Sequence, residues 1–285
     1  MTTLAATAAR SAAKALGRRP VGGWIALGVA AAVLLIVVLW AAFPQWFTGY
    51  DPVVGVPAEK LAAPTPAHPL GTDYLGRDLL ARMVYGTRTS LLSALLAVVV
   101  GLGLGLALGL AAGFGARLVD GTVMRLVDLL LAVPELLLAM LLVAVLGFSA
   151  ENAAFAIGLS SVAGFARLTR AEVLRVRQRR FVEAARLSGA RAWSIVVRHT
   201  LPNIGSTLLA LALLRFGGAI LGISTLSFLG FGAPPPAPEW GGLVAEGINY
   251  FYSAPWLLYG PAAIIVGVVL AANRVATAAR SRGNA

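Results

Sequence analysis

Apolar residues in this chain fall in long blocks separated by short polar or proline-rich stretches. The blocks lie at 24–43, 91–116, 123–147, 153–166, 204–230 and 256–272 and are dominated by Leu, Val, Ala, Ile and Gly. A helix needs about 20 residues to cross the roughly 30 Å hydrocarbon layer of a bilayer, and all but the block at 153–166 reach or approach that length. That block is short, yet its helical periodicity continues through Leu168, Ala171 and Leu174, past the first charge at Arg167. The pattern predicts an all-α integral membrane protein with six transmembrane helices, the fourth projecting beyond the bilayer. It divides the chain into a tail at 1–23, a first membrane helix at 24–43, an external loop at 44–90, a membrane core at 91–274 with a polar loop at about 167–203, and a tail at 275–285.

Composition agrees. The chain is 59% hydrophobic and 12% charged, with no cysteine, which removes disulfides, thiolate chemistry and cysteine-based metal sites. A net charge of +11 invites a nucleic-acid reading. The basic residues, however, cluster beside apolar blocks and form no aromatic-interleaved basic face, so no nucleic-acid partner is expected. Their placement sets orientation instead. With both termini cytoplasmic, 18 of the 23 basic residues lie on the cytoplasmic side, nine of them between Arg167 and Arg198. The opposite side receives Lys60, Arg77, Arg82 and Arg88 with most of the acidic residues, as the positive-inside rule requires. The first block follows Arg10, Lys14, Arg18 and Arg19 but is too long for a signal-peptide core, and is read as an uncleaved helix.

Several local patterns bear on function. Phe181 to Gly189 reads as a short surface helix ended by a glycine that can adopt the left-handed conformation, and Pro202 then opens the next span. Gly101, Gly105, Gly109 and Gly113 recur every four residues and form a flat ridge for close helix packing, with the neighbour left open between this chain and a second subunit. His68, Asp73 and Asp78 lack the tight spacing of a ligand set, so no metal site is expected; Gly71 is read as a turn, with Thr72 or Asp73 capping a short helix through Met83. The proline-rich external stretch at 231–255 is expected to run extended. Three charged positions fall within spans. Asp128 is expected to pair with Arg125 one turn away, and Glu135 and Arg215 are placed at similar mid-membrane height, as an ion pair or facing a pathway or partner. No P-loop surrounds Lys14 or Lys60, so nucleotide chemistry is not expected in this chain.

The polar loop resembles the EAA loop of ABC-importer permeases: Glu183-Ala184-Ala185, three residues including Arg186, Gly189, nine residues, then His199-Thr200-Leu201-Pro202-Asn203. The histidine version is similar to the dipeptide, oligopeptide and nickel branch of the DppC/OppC type. Gly71-Thr72-Asp73, Gly76-Arg77-Asp78 and Ser227-Phe228-Leu229-Gly230 are similar to further signatures of that branch, and the likeness runs from about 66 to 273. Ile223 stands where the branch often carries Glu, and the tail lacks the usual G-D-x-L-R-D. The resemblance implies a type I ABC-importer permease fold in the cell's inner membrane, and a subunit that catalyses no bond change. It implies a second homologous permease, two ATPase subunits or one fused ATPase coupled through the EAA loop, and an external substrate-binding protein. No cofactor is implied in this chain, ATP and Mg belonging to the ATPases. The cargo implied is a peptide or a related small molecule such as nickel or haem. A gradient-driven secondary transporter is the alternative.

Overall fold

The computed structural model describes residues 21–283, so the expectations for 1–20 and 284–285 lie outside the described residues. Ten α-helices are found among these residues, with three shorter helical turns and no strand beyond one isolated bridge. They are α1 (Val21–Ala42), α2 (Leu79–Phe114), α3 (Arg117–Ala132), α4 (Glu135–Leu146), α5 (Ala150–Arg177), α6 (Arg180–Leu187), α7 (Ala192–Ile195), α8 (Leu201–Phe228), α9 (Trp240–Ile248) and α10 (Trp256–Gly283).

The center of the bundle is the packing of α2 on α5, and the glycine ridge explains it. Gly101, Gly105, Gly109 and Gly113 are all buried on α2. A Cβ at these positions would collide in turn with Ser161, Phe165, Thr169 and Val173, spaced four apart on α5. Gly158 on α5 returns the arrangement, since its Cβ would lie 2.7 Å from the Ala97 carbonyl oxygen. Two backbones can approach this closely only where side chains are missing from the contact. The ridge therefore serves this chain's own α5. Around it, α1, α4, α8 and α10 close one continuous apolar core that includes Val37, Ala139, Ile220, Ile223 and Val268.

Four helices are long and apolar enough to cross a membrane: 24–42 of α1, α2, the continuous run Ala192–Phe228 and the run Trp256–Ala278. The number rises to five if α3 and α4 form one broken span. The sequence pattern expects one helix at 123–147; the structure bends it by 92° between Ala132 and Glu135. Pro134 is the reason: it withholds a backbone donor and disfavours helical geometry at Val133, which lies extended at φ −94° and ψ 129°. Glu135 thus opens a new helix instead of continuing an old one. The helix α5 does not reach the hydropathy of a span, because Ser160, Ser161, Gly158 and alanines fill its buried face and arginines its last turns.

Two other boundaries differ from the pattern. The helix expected to end at Met83 is the first turn of α2, capped by Asp78 and running unbroken to Phe114, so the external loop ends twelve residues early. The proline-rich stretch at 231–255 is not extended throughout. Once past Pro238, Glu239 caps α9 by accepting from the amides of Gly241 at 3.1 Å and Gly242 at 3.0 Å.

Candidate functional site

The polar loop between α5 and α8 is built around a surface helix with a defined C-terminal ending. In α6 the amide of Ala190 donates to the Ala185 carbonyl and that of Gly189 to the Arg186 carbonyl, each at 3.0 Å. These are the paired bonds of a Schellman ending, which places Gly189 in the left-handed region at φ +82°. No atom would crowd a Cβ there, so only the backbone angle demands glycine. Val182 is fully buried and anchors the helix on Val173, Val176, Ile195, Ile204 and Leu208. Around that anchor Glu183, Ala184 and Arg186 are exposed at the surface. Phe181, Leu187 and Trp193 are large apolar groups left exposed around it, at 43%, 85% and 74%. Isolated exposed apolar residues are ordinary; three on one short loop concentrate apolar surface there.

Beyond α7 the chain makes a π turn at Val196–Thr200 and enters α8, where Pro202 is the second residue. The proline removes one backbone donor, and nearby side chains answer the loosened turn. Asn203 Nδ2 donates to the His199 carbonyl at 2.6 Å, and Thr200 Oγ1 to the Ile195 carbonyl at 3.2 Å. The segment expected to lead up to a proline-opened helix is thus one helical run with α8.

At the opposite end, the 71–78 signature folds into a buried knot. Gly71 and Gly76 both take φ +77°. A Cβ on Gly71 would lie 2.7 Å from both the Ala62 carbonyl and Trp256 Nε1, so side chains are excluded on two grounds. Asp73 Oδ2 accepts from Arg77 Nε at 2.6 Å and from Arg82 Nη1 at 2.8 Å, while Oδ1 accepts from the amides of Leu75 and Arg77. Arg82 also holds Glu246 of α9, with Nη2 to Oε1 at 3.2 Å. Asp78 caps α2 through the Ala81 amide at 2.6 Å and meets His68 Nδ1 at 2.9 Å. Thr72 completes the loop, accepting from the Ala62 amide at 2.8 Å, and its carbonyl accepts from Trp256 Nε1. Neither Thr72 nor Asp73 is the cap: the helix begins at Leu79, so Asp78 directly before it takes that role, and Asp73 engages two guanidinium groups instead. In the sequence Arg82 counts only as an external basic residue, and nothing there pairs it with Glu246. The one available signal was an arginine one helical turn after Asp78, at the start of an apolar block. Among the described residues, no group of three or more His, Asp or Glu side chains forms a metal-binding set.

The Ser227-Phe228-Leu229-Gly230 signature is a second Schellman ending. Gly230 lies at φ +86°, the Phe231 amide donates to the Leu226 carbonyl at 2.8 Å, and the Gly230 amide to that of Ser227 at 3.0 Å. It stops α8 and turns the chain toward α9.

The charges within the bundle distribute differently from expectation. Asp128 does not bond Arg125 on its own helix; it takes Arg167 Nη2 of α5 at 2.6 Å. Arg170 forms a bidentate pair with Asp120, at 2.5 and 2.6 Å, so α3 is held along α5 by two arginines one turn apart. Arg215 Nη1 lies 3.4 Å from Glu135 Oε2, and both line a cavity of about 240 Å³ with Ala97, Ile157, Ser161 and Thr225.

Comparison with known proteins decides the family. Residues 105–282 match the family described as binding-protein-dependent transport system inner membrane component. The chain belongs to that family. It is 38% identical over 243 residues to the dipeptide transport system permease protein DppC of Alkalihalophilus pseudofirmus, covering 85% of this chain and 80% of that one. With DppC of Escherichia coli it shares 43% over 246 residues, 84% of this chain and 82% of the other. With the glutathione transport system permease protein GsiD of Pectobacterium atrosepticum it shares 37% over 250 residues, 87% and 82% of the two chains. Its fold is similar to a chain of the inward-facing MetNI methionine ABC transporter, with a TM-score of 0.57 over 70% of this chain and 96% of that one, at 18% identity. This family member is a multi-pass permease component of an ATP-driven importer and not an enzyme in itself. The gradient-driven alternative finds no support in these relatives.

Proposed function

We propose that this chain forms half of the transmembrane pathway of a peptide importer, in the bacterial inner membrane, with both termini cytoplasmic. A second homologous permease completes the pathway, ATPase subunits dock below on the loop around α6, and an external binding protein delivers cargo above. ATP and Mg are used in the ATPases. Six crossings follow if α3 and α4 count as one broken span and α5 as a span whose polar inner face is hidden in the bundle. This is the type I architecture, and it matches the orientation the basic residues favour.

The observation that carries this reading is the Schellman-capped helix α6, buried through Val182 and exposing Leu187 beside Glu183 and Arg186, with Trp193 of α7 exposed nearby in the same loop. A short helix anchored on the bundle by a buried residue, with charged and apolar groups exposed around it, is suited to transmit a push or pull from a docked partner. The cargo class rests on relatives named for dipeptide and glutathione transport. The test is to co-express this chain with a homologous partner permease, ATPase subunits and a peptide-binding protein, and measure ATP-dependent dipeptide uptake in proteoliposomes. Uptake that requires all components supports the reading. Uptake driven by a proton or sodium gradient without ATP would overturn it.

A further inference from the structure

Arg215 lies midway along α8, about 20 Å by helical rise from either end. At this height hydrocarbon is the worst surrounding for a charge. Yet Arg215 and Glu135 are not sealed in: their side chains remain 37% and 46% exposed. Their pair is loose as well, one contact at 3.4 Å, where Arg170 and Asp120 close two at 2.5 and 2.6 Å. Room has been left around the guanidinium, because a Cβ on Gly164 would lie 2.8 Å from Arg215 Nη2. Glu135 is held there by the break at Pro134, as the first residue of α4, where the positive end of the helix favours its carboxylate. The cavity between them is otherwise apolar. Ser161 and Thr225 bond their own helices' carbonyls, each at 2.8 Å, and do not compete for the pair.

A loose, open, overall neutral ion pair in an apolar cavity at mid-membrane has the chemistry to be exchanged. A guanidinium keeps further N–H donors free when one is engaged, and a carboxylate keeps lone pairs. We propose that Arg215 and Glu135 line the translocation path and are parted by zwitterionic cargo, whose carboxylate bonds Arg215 while its ammonium bonds Glu135. The pair closes again when the cargo leaves, so neither charge is stranded in either state. An isolated anion or cation satisfies only one member and leaves the other unpaired, which favours molecules bearing both charges. This deepens the peptide-importer reading and rests on it.

The test uses the assembled complex in proteoliposomes. This chain contains no cysteine, and with partner cysteines replaced, Thr225→Cys is the sole reporter in the cavity. Its reaction rates with the anionic sulfonatoethyl and cationic trimethylammonioethyl methanethiosulfonates give a ratio that reads local charge. Arg215→Gln is expected to lower the anionic-to-cationic ratio about fivefold and Glu135→Gln to raise it by a similar factor, the order expected of one nearby unit charge in partly hydrated surroundings. Arg215→Lys should leave the ratio nearly unchanged. Excess alanyl-alanine should protect the reporter in the unsubstituted pair better than its C-terminal amide or N-acetyl forms do. An unmoved ratio, a reporter unreactive in every nucleotide state, or equal protection by all three peptides would overturn the proposal. Normal ATP-driven uptake with an unmoved ratio counts against the pair alone. Shifted ratios with no ATP-driven uptake by the complex count against the peptide-importer reading alone.

Discussion

Arg82 joins Asp73, nine residues before it, to Glu246, 164 residues after it. Through this one guanidinium the external loop, the start of α2 and the helix α9 are held together. The Arg82 and Asp73 side chains are each 2% exposed, whereas Glu246 is 26% exposed. Removing one partner of a buried pair strands the other, which costs about 3–5 kcal/mol. Asp73→Asn and Arg82→Met should therefore lower the melting temperature of the purified complex steeply, and Glu246→Gln less, since water reaches that carboxylate. Equal effects from all three would contradict the burial order.

The glycine ridge makes a positional prediction. Gly105→Leu places a side chain against Phe165 and Ala166 on α5, whereas Gly103, two residues away, has open space around its Cβ position. Overpacking a tight contact costs about 1–3 kcal/mol or more where backbones cannot separate. Gly105→Leu should sharply reduce folded yield by fluorescence-detected size exclusion, and Gly103→Leu should leave it near normal. Similar losses from both would mean the ridge is not the contact.

At Gly189 the expectation separates coupling from folding. Its φ of +82° penalises any residue with a Cβ by about 1–2 kcal/mol, more for a β-branched one, but there is open space around it. Gly189→Val should leave membrane insertion intact while reducing ATPase co-purification and cargo-stimulated ATP hydrolysis. Gly189→Asn, which tolerates the left-handed region, should restore much of both. Unimpaired values for the valine variant would remove α6 from the docking role.

Orientation is checked by single cysteines. Ala58, Ala237 and Leu187 are exposed. In intact cells an impermeant maleimide should label Ala58→Cys and Ala237→Cys, and should label Leu187→Cys only after the membrane is opened. The reverse pattern would invert the proposed topology.

What the sequence settled by itself came from patterns with a short reach along the chain. Apolar blocks of bilayer length, the Glu183–Gly189 spacing ended by a left-handed glycine, and glycines every fourth residue are all local, because helix periodicity and backbone sterics act over a few residues. The bent third span was partly legible too, since Pro134 stands in plain view, but a proline at membrane depth can kink a helix slightly or break it. Only contacts with the rest of the bundle decided on 92°. Pairing lay further from reach. Asp128 had Arg125 one turn away and bonded Arg167 instead, because the α3–α5 packing set which guanidinium it met. Asp73 looked like a helix cap until Arg77 and Arg82 claimed it. An ionised side chain takes whichever opposite charge folding brings nearest, and that distance is a property of the packed bundle, not of sequence separation.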